Sequence, residues 1–490
     1  MTCLQTTPLP PFLPRPSAPL LLSRPPPVPL PPPSPSPPSP PSPPSPPSPP
    51  SPLPPHLPAN RPPLQRWADP PAPPSPRAAS VEPLSDLAAY NMVMGTQHIG
   101  PLYTFGNASV LVNGANAMLG MGSNIFKFAL NVHKYKNLTT VVGDLDFGTS
   151  QNITLKQLAT QHPDFAQVLA MPFAFFFIWV YVNPNRNVAG IAVQNFVWNT
   201  QVARREYEEM YELTAYLLTA FNGTKRTFFL GNWEGDWMMA TGFNIPLRLK
   251  NVNAPAGMAA WMTIRQSAID AAKRDTPHSG VEVYFYMELN SVPEGIQDPQ
   301  SQVMVNSVLP LVPVDFVSFS SYQALGWRAP AVTTGLLRDC LNYIESRMPM
   351  KPLSNGLNPG VPAPYTKRVF IGEYGFPSGP SGYFTPQEAM ARSALTVQTA
   401  MAWGAPFALV WEMYNSEMKP VAGVPQHRGW WLINDKEEEM PLYTLHKSLY
   451  AQGQQWVAAF RARNNRMPSL TEFQTQARLW ISSLAAGLRG

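Results

Sequence analysis

Eight short runs of β-branched and aromatic residues, at 92–98, 124–130, 173–181, 227–232, 281–287, 315–320, 368–373 and 407–412, alternate with longer stretches of a different rhythm. In those longer stretches, at 204–221, 258–273, 300–309, 334–347 and 386–403, apolar residues recur three and four positions apart. The first pattern is that of buried strands and the second that of helices with one apolar face. Strand and helix in strict alternation need crossover connections, which implies a parallel sheet. Eight such units over about 370 residues predict an α/β fold, a (β/α)8 or TIM barrel, with its main insertion at 131–171 between the second and third strands. An open doubly wound sheet is the alternative, but no glycine-rich phosphate loop follows the first strand.

The barrel is expected to span residues 84–451, with 440–450 as its closing helix. Residues 452–490 read as a basic, partly helical extension whose Leu479, Trp480, Ile481 and Leu484 can pack on the barrel exterior. Ahead of the barrel the composition changes sharply: the first 80 residues hold 35 of the 61 prolines. Fixed φ and missing amide donors leave polyproline II as the regular option for its Ser-Pro-Pro repeats, so residues 1–83 are expected to be a disordered Pro/Ser-rich tail. This tail carries five arginines and one aspartate, so it accounts for four of the formal net charges of +5. The remaining 410 residues carry only +1. A nearly neutral body gives no support to nucleic-acid binding. The longest apolar run, 173–182, has ten residues, about half a membrane span. Two cysteines, Cys3 and Cys340, exclude a disulfide scaffold and a cysteine-rich zinc site.

In a barrel of this kind the working groups stand at the carboxyl ends of the strands. Two glutamates satisfy that rule. Glu234 follows the fourth strand in Leu-Gly-Asn-Trp-Glu-Gly-Asp-Trp (230–237), and Glu373 ends the seventh in Val-Phe-Ile-Gly-Glu-Tyr-Gly-Phe-Pro (369–377). A carboxylate at the end of an apolar strand costs desolvation energy, so it calls for a partner or a task. Strands four and seven lie on opposite sides of the mouth, so the two carboxyls can face each other as cleavage of a glycosidic bond requires. Trp233, Trp237, Trp411, Trp430 and Trp431 fall in loops after strands four and eight, where flat apolar faces suit sugar rings.

With these residues in place the chain resembles the clan A retaining glycoside hydrolases over about residues 90–450, most specifically in Ile-Gly-Glu-Tyr-Gly-Phe-Pro. The segments 429–435 and 441–443 resemble the clan's last loop and helix. The resemblance implies a barrel enzyme with Glu373 as nucleophile and Glu234 as acid/base. It further implies that Tyr322 hydrogen-bonds the nucleophile, that Trp411 stacks on the sugar, and that Lys127 takes the place of the basic residue beneath the nucleophile. One departure is evident: the clan has Asn immediately before the acid/base glutamate, whereas here Trp233 intervenes and the substrate-binding candidate is Asn232, which reaches the sugar 2-hydroxyl if the strand end bulges. The tail resembles the hydroxyproline-rich repeats of plant and green-algal wall glycoproteins.

Each candidate also has a plainer reading. Glu373 could neutralise Lys127, and Glu234 could be a loop acid, with Asp236 as its substitute. Glu288 and Asn290 either line the cleft or sit on its rim, and Glu412 shares that ambiguity. His98 is either a substrate contact or a hydrogen-bonded structural histidine. The function these residues point to is a retaining glycosidase cleaving β-linked oligo- or polysaccharide, its carboxyls about 5 to 5.5 Å apart. A transglycosylase and an inactive carbohydrate-binding or wall-associated barrel are the alternatives. Carbohydrate is the expected partner, with no nucleic acid and no membrane. No cofactor is expected, because two carboxyls suffice, and no metal, because no ligand spacing occurs. The tail points to an extracellular or cell-wall location; against it, prolines interrupt every apolar stretch before Leu20, so no signal-peptide core is expected.

Overall fold

The computed structural model describes residues 81–148, 150, 152–182, 200–239, 254–326, 334–351 and 365–488. The expected disordered tail lies outside the described residues, apart from its last three positions. Eight parallel strands close into one barrel: β1 (Met94–Gln97), β2 (Ile125–Ala129), β3 (Phe175–Trp179), β4 (Arg226–Gly231), β5 (Val281–Leu289), β6 (Phe316–Ser320), β7 (Val369–Tyr374) and β8 (Ala408–Val410). Each pairs with its sequence neighbours, and β1 pairs with β8 to shut the ring. All eight predicted strands are present.

The continuous apolar runs follow from burial on both faces. In β3 every residue is buried; Phe177 stacks on Phe229 of β4 at 4.5 Å inside the barrel, and Phe176 stacks on Phe228 at 5.2 Å. Phe407 and Phe370 close around Phe177 at 4.9 and 5.1 Å, so an aromatic plug fills the barrel below the mouth. With that space filled, polar chemistry is confined to the strands' carboxyl ends.

The outer layer includes α1 (Val110–Met121), α2 (Leu155–Gln161), α3 (Pro163–Ala170), α4 (Thr200–Ala220), α5 (Ala254–Asp275), α6 (Thr334–Arg347), α7 (Pro386–Trp403), α8 (Pro441–Asn464) and α9 (Leu470–Gly487). Helix α7 has its predicted bounds because both ends are signposted. Thr385 and Glu388 form a capping box, Pro386 occupies the first turn, and Gly404 ends the helix in the left-handed region at φ 95°. The helix expected at 300–309 is instead a short helix, Met304–Ser307, followed by a 3-10 turn at Leu309–Leu311. Pro310 has no amide to donate, so the helical ladder cannot continue through it.

The insertion between β2 and β3 contains a hairpin, Val141–Val142 with Leu145–Asp146, ahead of α2 and α3. A second hairpin, Met418–Val421 with Val424–His427, follows β8. Helix α8 runs without a break through residues 451 and 452, and α9 folds back beside it. Gln474 of α9 donates to the Ala405 carbonyl at 2.8 Å, and Ile481 is fully buried. Trp480 packs edge-on to Trp456 at 5.9 Å, whereas Leu479 is 62% exposed and faces away from the barrel. Cys340 is buried in α6, and burial pushes its thiol up to about 12. Among the described residues no helix is long and apolar enough to cross a membrane.

Candidate active site

The carboxyl ends of the strands bring one cation and three carboxyl groups together. Lys127 on β2 is 1% exposed, and its Nζ lies 2.8 Å from Glu288 Oε2, 3.2 Å from Glu373 Oε1 and 3.0 Å from the Gly372 carbonyl. Three donors meet three acceptors. Glu288, on β5, is fully buried; its Oε2 also accepts from the Ser318 hydroxyl at 2.7 Å, and its Oε1 accepts from the Glu234 backbone amide at 3.2 Å. Glu373 on β7 accepts from the Tyr322 hydroxyl at 3.3 Å on Oε2, the oxygen that Lys127 leaves uncovered. Tyr322 is braced edge-on against Trp430 at 5.5 Å.

Glu234 stands in the turn after β4, 6% exposed. Burial raises its pKa well above the ordinary value, the charges of Glu373 and Glu288 add to that, and the Ser320 hydroxyl and Lys127 oppose it. Glu373 is also raised by burial, but Lys127 beside it pulls it back and Glu288 pushes it up, leaving it at about 7. The Ser320 hydroxyl favours the anion at both glutamates. Burial alone would lower the Lys127 ammonium, yet Glu288 and Glu373 more than offset this and hold it above its usual value. One carboxyl with a cation beside it and another without it are environments that separate an anion from an acid.

The remaining candidates divide. Trp411 follows β8 and stacks with Trp179 of β3 at 6.3 Å, while Lys127 lies 5.0 Å from the Trp179 ring centre. Trp233 donates its backbone amide to the Tyr181 hydroxyl at 2.6 Å, which fixes the residue before Glu234. Asn232 is fully buried: its Nδ2 donates to the Trp233 carbonyl at 2.8 Å and the Glu288 carbonyl at 3.3 Å, and its Oδ1 accepts from the Glu288 amide at 3.3 Å. It extends the ladder between β4 and β5 by side-chain mimicry of a strand. Asn290, oriented to satisfy its neighbours, donates to Asp236 at 3.2 Å and accepts from Trp237 Nε1 at 3.0 Å.

Two further candidates have polar atoms engaged with backbone. His98 is fully buried with Nε2 2.8 Å from the Val110 carbonyl, and its ring presses on Gly114 of α1. Burial lowers its pKa to about 4, and it is the structural histidine of the two readings, pinning β1 to α1 outside the carboxyl cluster. Asp236 accepts from the backbone amides of Asn290, Ser291 and Met304 at 3.0, 3.1 and 2.8 Å. Tied to three amides, it braces the loop after β5. Glu412 is fully buried, accepts from the Ile99 amide at 3.1 Å, and burial holds its carboxyl well above the ordinary range.

Sequence reasoning missed Ser318, Ser320, Trp179 and Gln97. The first two alternate along β6 in phase with inward-facing Phe316. That period of two, extended one step beyond the strand, leads to Tyr322 and was the signal available. Among the described residues, Gln97 Oε1 and Trp179 Nε1 are buried without a hydrogen-bond partner. No group of three His, Cys, Asp or Glu side chains among the described residues is placed to hold a metal ion.

No family model matches the chain, and no curated protein matches it. Among solved structures, it is similar to a native Bacteroidetes-affiliated GH5 cellulase linked with a polysaccharide utilization locus, at 11% identity over 82% of this chain and 97% of that one, with a TM-score of 0.44. It is similar to GH5_18 from Streptomyces cattleya in complex with GlcNAc, at 10% identity over 84% and 93%, with a TM-score of 0.47. It is also similar to the GH39 enzyme from Xanthomonas axonopodis pv. citri, at 13% identity over 76% and 68%, with a TM-score of 0.42.

Proposed function

We propose that the chain is a retaining glycoside hydrolase that cleaves a β-linked oligo- or polysaccharide. The observation that carries this reading is the unequal treatment of two buried carboxyls in one mouth: Glu373 has Lys127 at 3.2 Å and the Tyr322 hydroxyl at 3.3 Å, whereas Glu234 accepts from neither. In the first step Glu373 attacks the anomeric carbon, the bond to the leaving oxygen breaks, and the Glu234 proton goes to that oxygen. In the second step Glu234, now an anion, takes a proton from water. The hydroxide attacks the anomeric carbon, the ester to Glu373 breaks, and both carboxyls return to their starting states.

Lys127 and Tyr322 hold Glu373 as the anion that must attack, and the buried position of Glu234 keeps the proton that must be given. Trp411, which is only partly buried, offers a flat face for a pyranose ring, with Trp179 stacked beside it. Asn232 has its amide committed to backbone, so contact with the sugar 2-hydroxyl falls to other groups; among the described residues Gln97 Oε1 and Trp179 Nε1 are two of the buried polar atoms without a hydrogen-bond partner. That commitment of Asn232 is also what favours the second reading, an inactive carbohydrate-binding barrel.

Purified chain assayed on a panel of chromogenic aryl β-glycosides separates the two. Turnover with retention of configuration, lost in Glu373→Gln, supports the hydrolase. Sugar binding without turnover, and no trapping of a 2-fluoroglycosyl ester on Glu373, sinks it. Acceptor sugars added to the same assay distinguish a transglycosylase. We carry forward a wall location through residues 1–80 as part of this proposal; the test is whether deleting them releases the protein from isolated wall material.

A further inference from the structure

Glu288 is the one carboxyl of the cluster for which the reaction has no step, yet it is fully buried and makes the most contacts. It lies 2.8 Å from Lys127, 2.7 Å from Ser318 and 3.2 Å from the Glu234 amide. Its sequence position suggested a cleft-lining substrate contact, but no part of it reaches the surface. Space for this arrangement is made by Gly372, since a Cβ there would fall 1.7 Å from Ser318 Oγ and 3.0 Å from Glu288 Oε2.

The cost of buried charge suggests a purpose. Lys127 with Glu373 alone would make a closed ion pair, and an anion so neutralised is a poor nucleophile, held by a full counter-charge it must give up in attacking carbon. With Glu288 on the nearer side of the ammonium, Lys127 is already matched, and Glu373 is left with part of the cation's attraction. The same carboxylate reaches the Glu234 amide and so fixes the acid's position. We propose that Glu288 is a positioning residue that neutralises Lys127 and thereby sets the proton affinity of Glu373, while its second oxygen holds the Glu234 turn.

This deepens the hydrolase reading and rests on it for its purpose, though not for its test. Groups facing the cluster from the packed elements are Lys127 on β2, Tyr181 after β3, Glu234 after β4, Tyr286 on β5, Ser318, Ser320 and Tyr322 on or after β6, Glu373 on β7 and Glu412 after β8. Among these described residues only Lys127 is a cation, and Glu288 and Glu373 both lie against it. Removing the Glu288 charge gives Glu373 all of that cation's attraction, and its pKa must fall. Removing Lys127 leaves two anions together, and it must rise.

The test is a titration of the glutamate carboxyl carbons by carbon-13 NMR in the full chain, with the Glu373 resonance identified by its loss in Glu373→Gln. Glu288→Gln is expected to move the Glu373 titration down by at least about one pH unit, and Lys127→Gln to move it up by a similar amount. The double variant, Lys127→Gln with Glu288→Gln, removes the residual attraction of the cation together with the Glu288 charge and is expected to titrate above the unsubstituted chain but below Lys127→Gln alone. It leaves the Glu373 carboxylate without its cation, so Glu288→Gln, which keeps Lys127 paired with Glu373, is the variant best able to fold if another does not. A double variant that titrates like Lys127→Gln alone, or a Glu288→Gln that leaves Glu373 unmoved, overturns the proposal. Because the readout needs no turnover, a chain inactive on every glycoside would sink the hydrolase and leave this inference to stand or fall by its own titration.

Discussion

Gly372 lies directly beneath Ser318: a Cβ built on the glycine would fall 1.7 Å from the serine Oγ. That hydroxyl donates to Glu288 at 2.7 Å, and Glu288 in turn holds Lys127 and the Glu234 amide. The glycine in Ile-Gly-Glu is thus a packing requirement of the carboxyl cluster. Gly372→Ala is expected to destabilise the chain by about 1 to 3 kcal/mol through overpacking, measured by urea unfolding, and to abolish turnover. Ser318→Ala added to it removes the clashing oxygen and is expected to recover part of the stability, since Ser318 Cβ would still sit at 3.0 Å. Equal stability of Gly372→Ala and the unsubstituted chain would show that β6 and β7 can separate there at no cost.

The pH dependence follows from which proton each glutamate must hold. In the proposed reaction Glu373 attacks as an anion, and its pKa is about 7; Glu234 acts in its protonated form, and its pKa is raised by burial and by two neighbouring carboxylates. The kcat/KM profile is therefore expected to be bell-shaped, with one limb near pH 7 from Glu373 and the other from loss of the Glu234 proton. Tyr322→Phe removes a hydrogen bond to the Glu373 anion, so the rising limb should move to higher pH and kcat/KM should drop roughly tenfold or more at neutral pH. A profile with its rising limb near pH 4 would mean that Glu373 titrates as an ordinary exposed carboxyl.

Much of this was written in the order of the residues. Eight apolar runs gave the strands, because a strand covered on both faces has no polar alternation to hide it, and two of them ended in the glutamates. What the runs could not show were contacts made across the barrel. Glu288 looked like a rim acid because nothing near it in sequence says that Ser318, thirty residues on, and Lys127, on β2, close over it. Asn232 and Asp236 read in sequence as a binding and an acid candidate, yet Asn232 accepts from the Glu288 amide in β5 and Asp236 from amides of the loop after it. The hairpin Met418–Val421 with Val424–His427 was hidden by Pro420 and Pro425, which face each other in its register.

Burial of protonated carboxyls has a consequence for folding. Glu412 is fully buried and held well above its usual 4.5, so the folded chain keeps a proton there that the unfolded chain has released. Its contribution is fully present below about 4.5 and is lost as pH rises toward the folded-state value, so stability should fall from pH 5 to pH 8. Glu412→Gln keeps an oxygen for the Ile99 amide and has nothing to titrate. It is expected to flatten the decline and to be the more stable chain at pH 8, as read from thermal unfolding at both pH values. An unchanged slope would assign the decline to Glu234 and Glu373.

The two catalytic roles can be told apart by the leaving group. A substrate whose aglycone departs without a proton, such as a dinitrophenyl glycoside, does not need the acid in the first step, but it still needs the nucleophile. Glu234→Ala is therefore expected to release dinitrophenol in a rapid burst and then stall, because the second step lacks its base, while a methyl glycoside shows a loss of about 100- to 10,000-fold. Glu373→Ala is expected to be inactive on both. Glu234 is held by its own backbone amide to Glu288 and by the Trp233 amide to Tyr181, so truncating its side chain leaves the turn in place and the kinetic split is not a folding effect. If instead Glu234→Ala lost activity equally on both substrates while Asp236→Asn gave the burst, the acid would have been placed two residues too early.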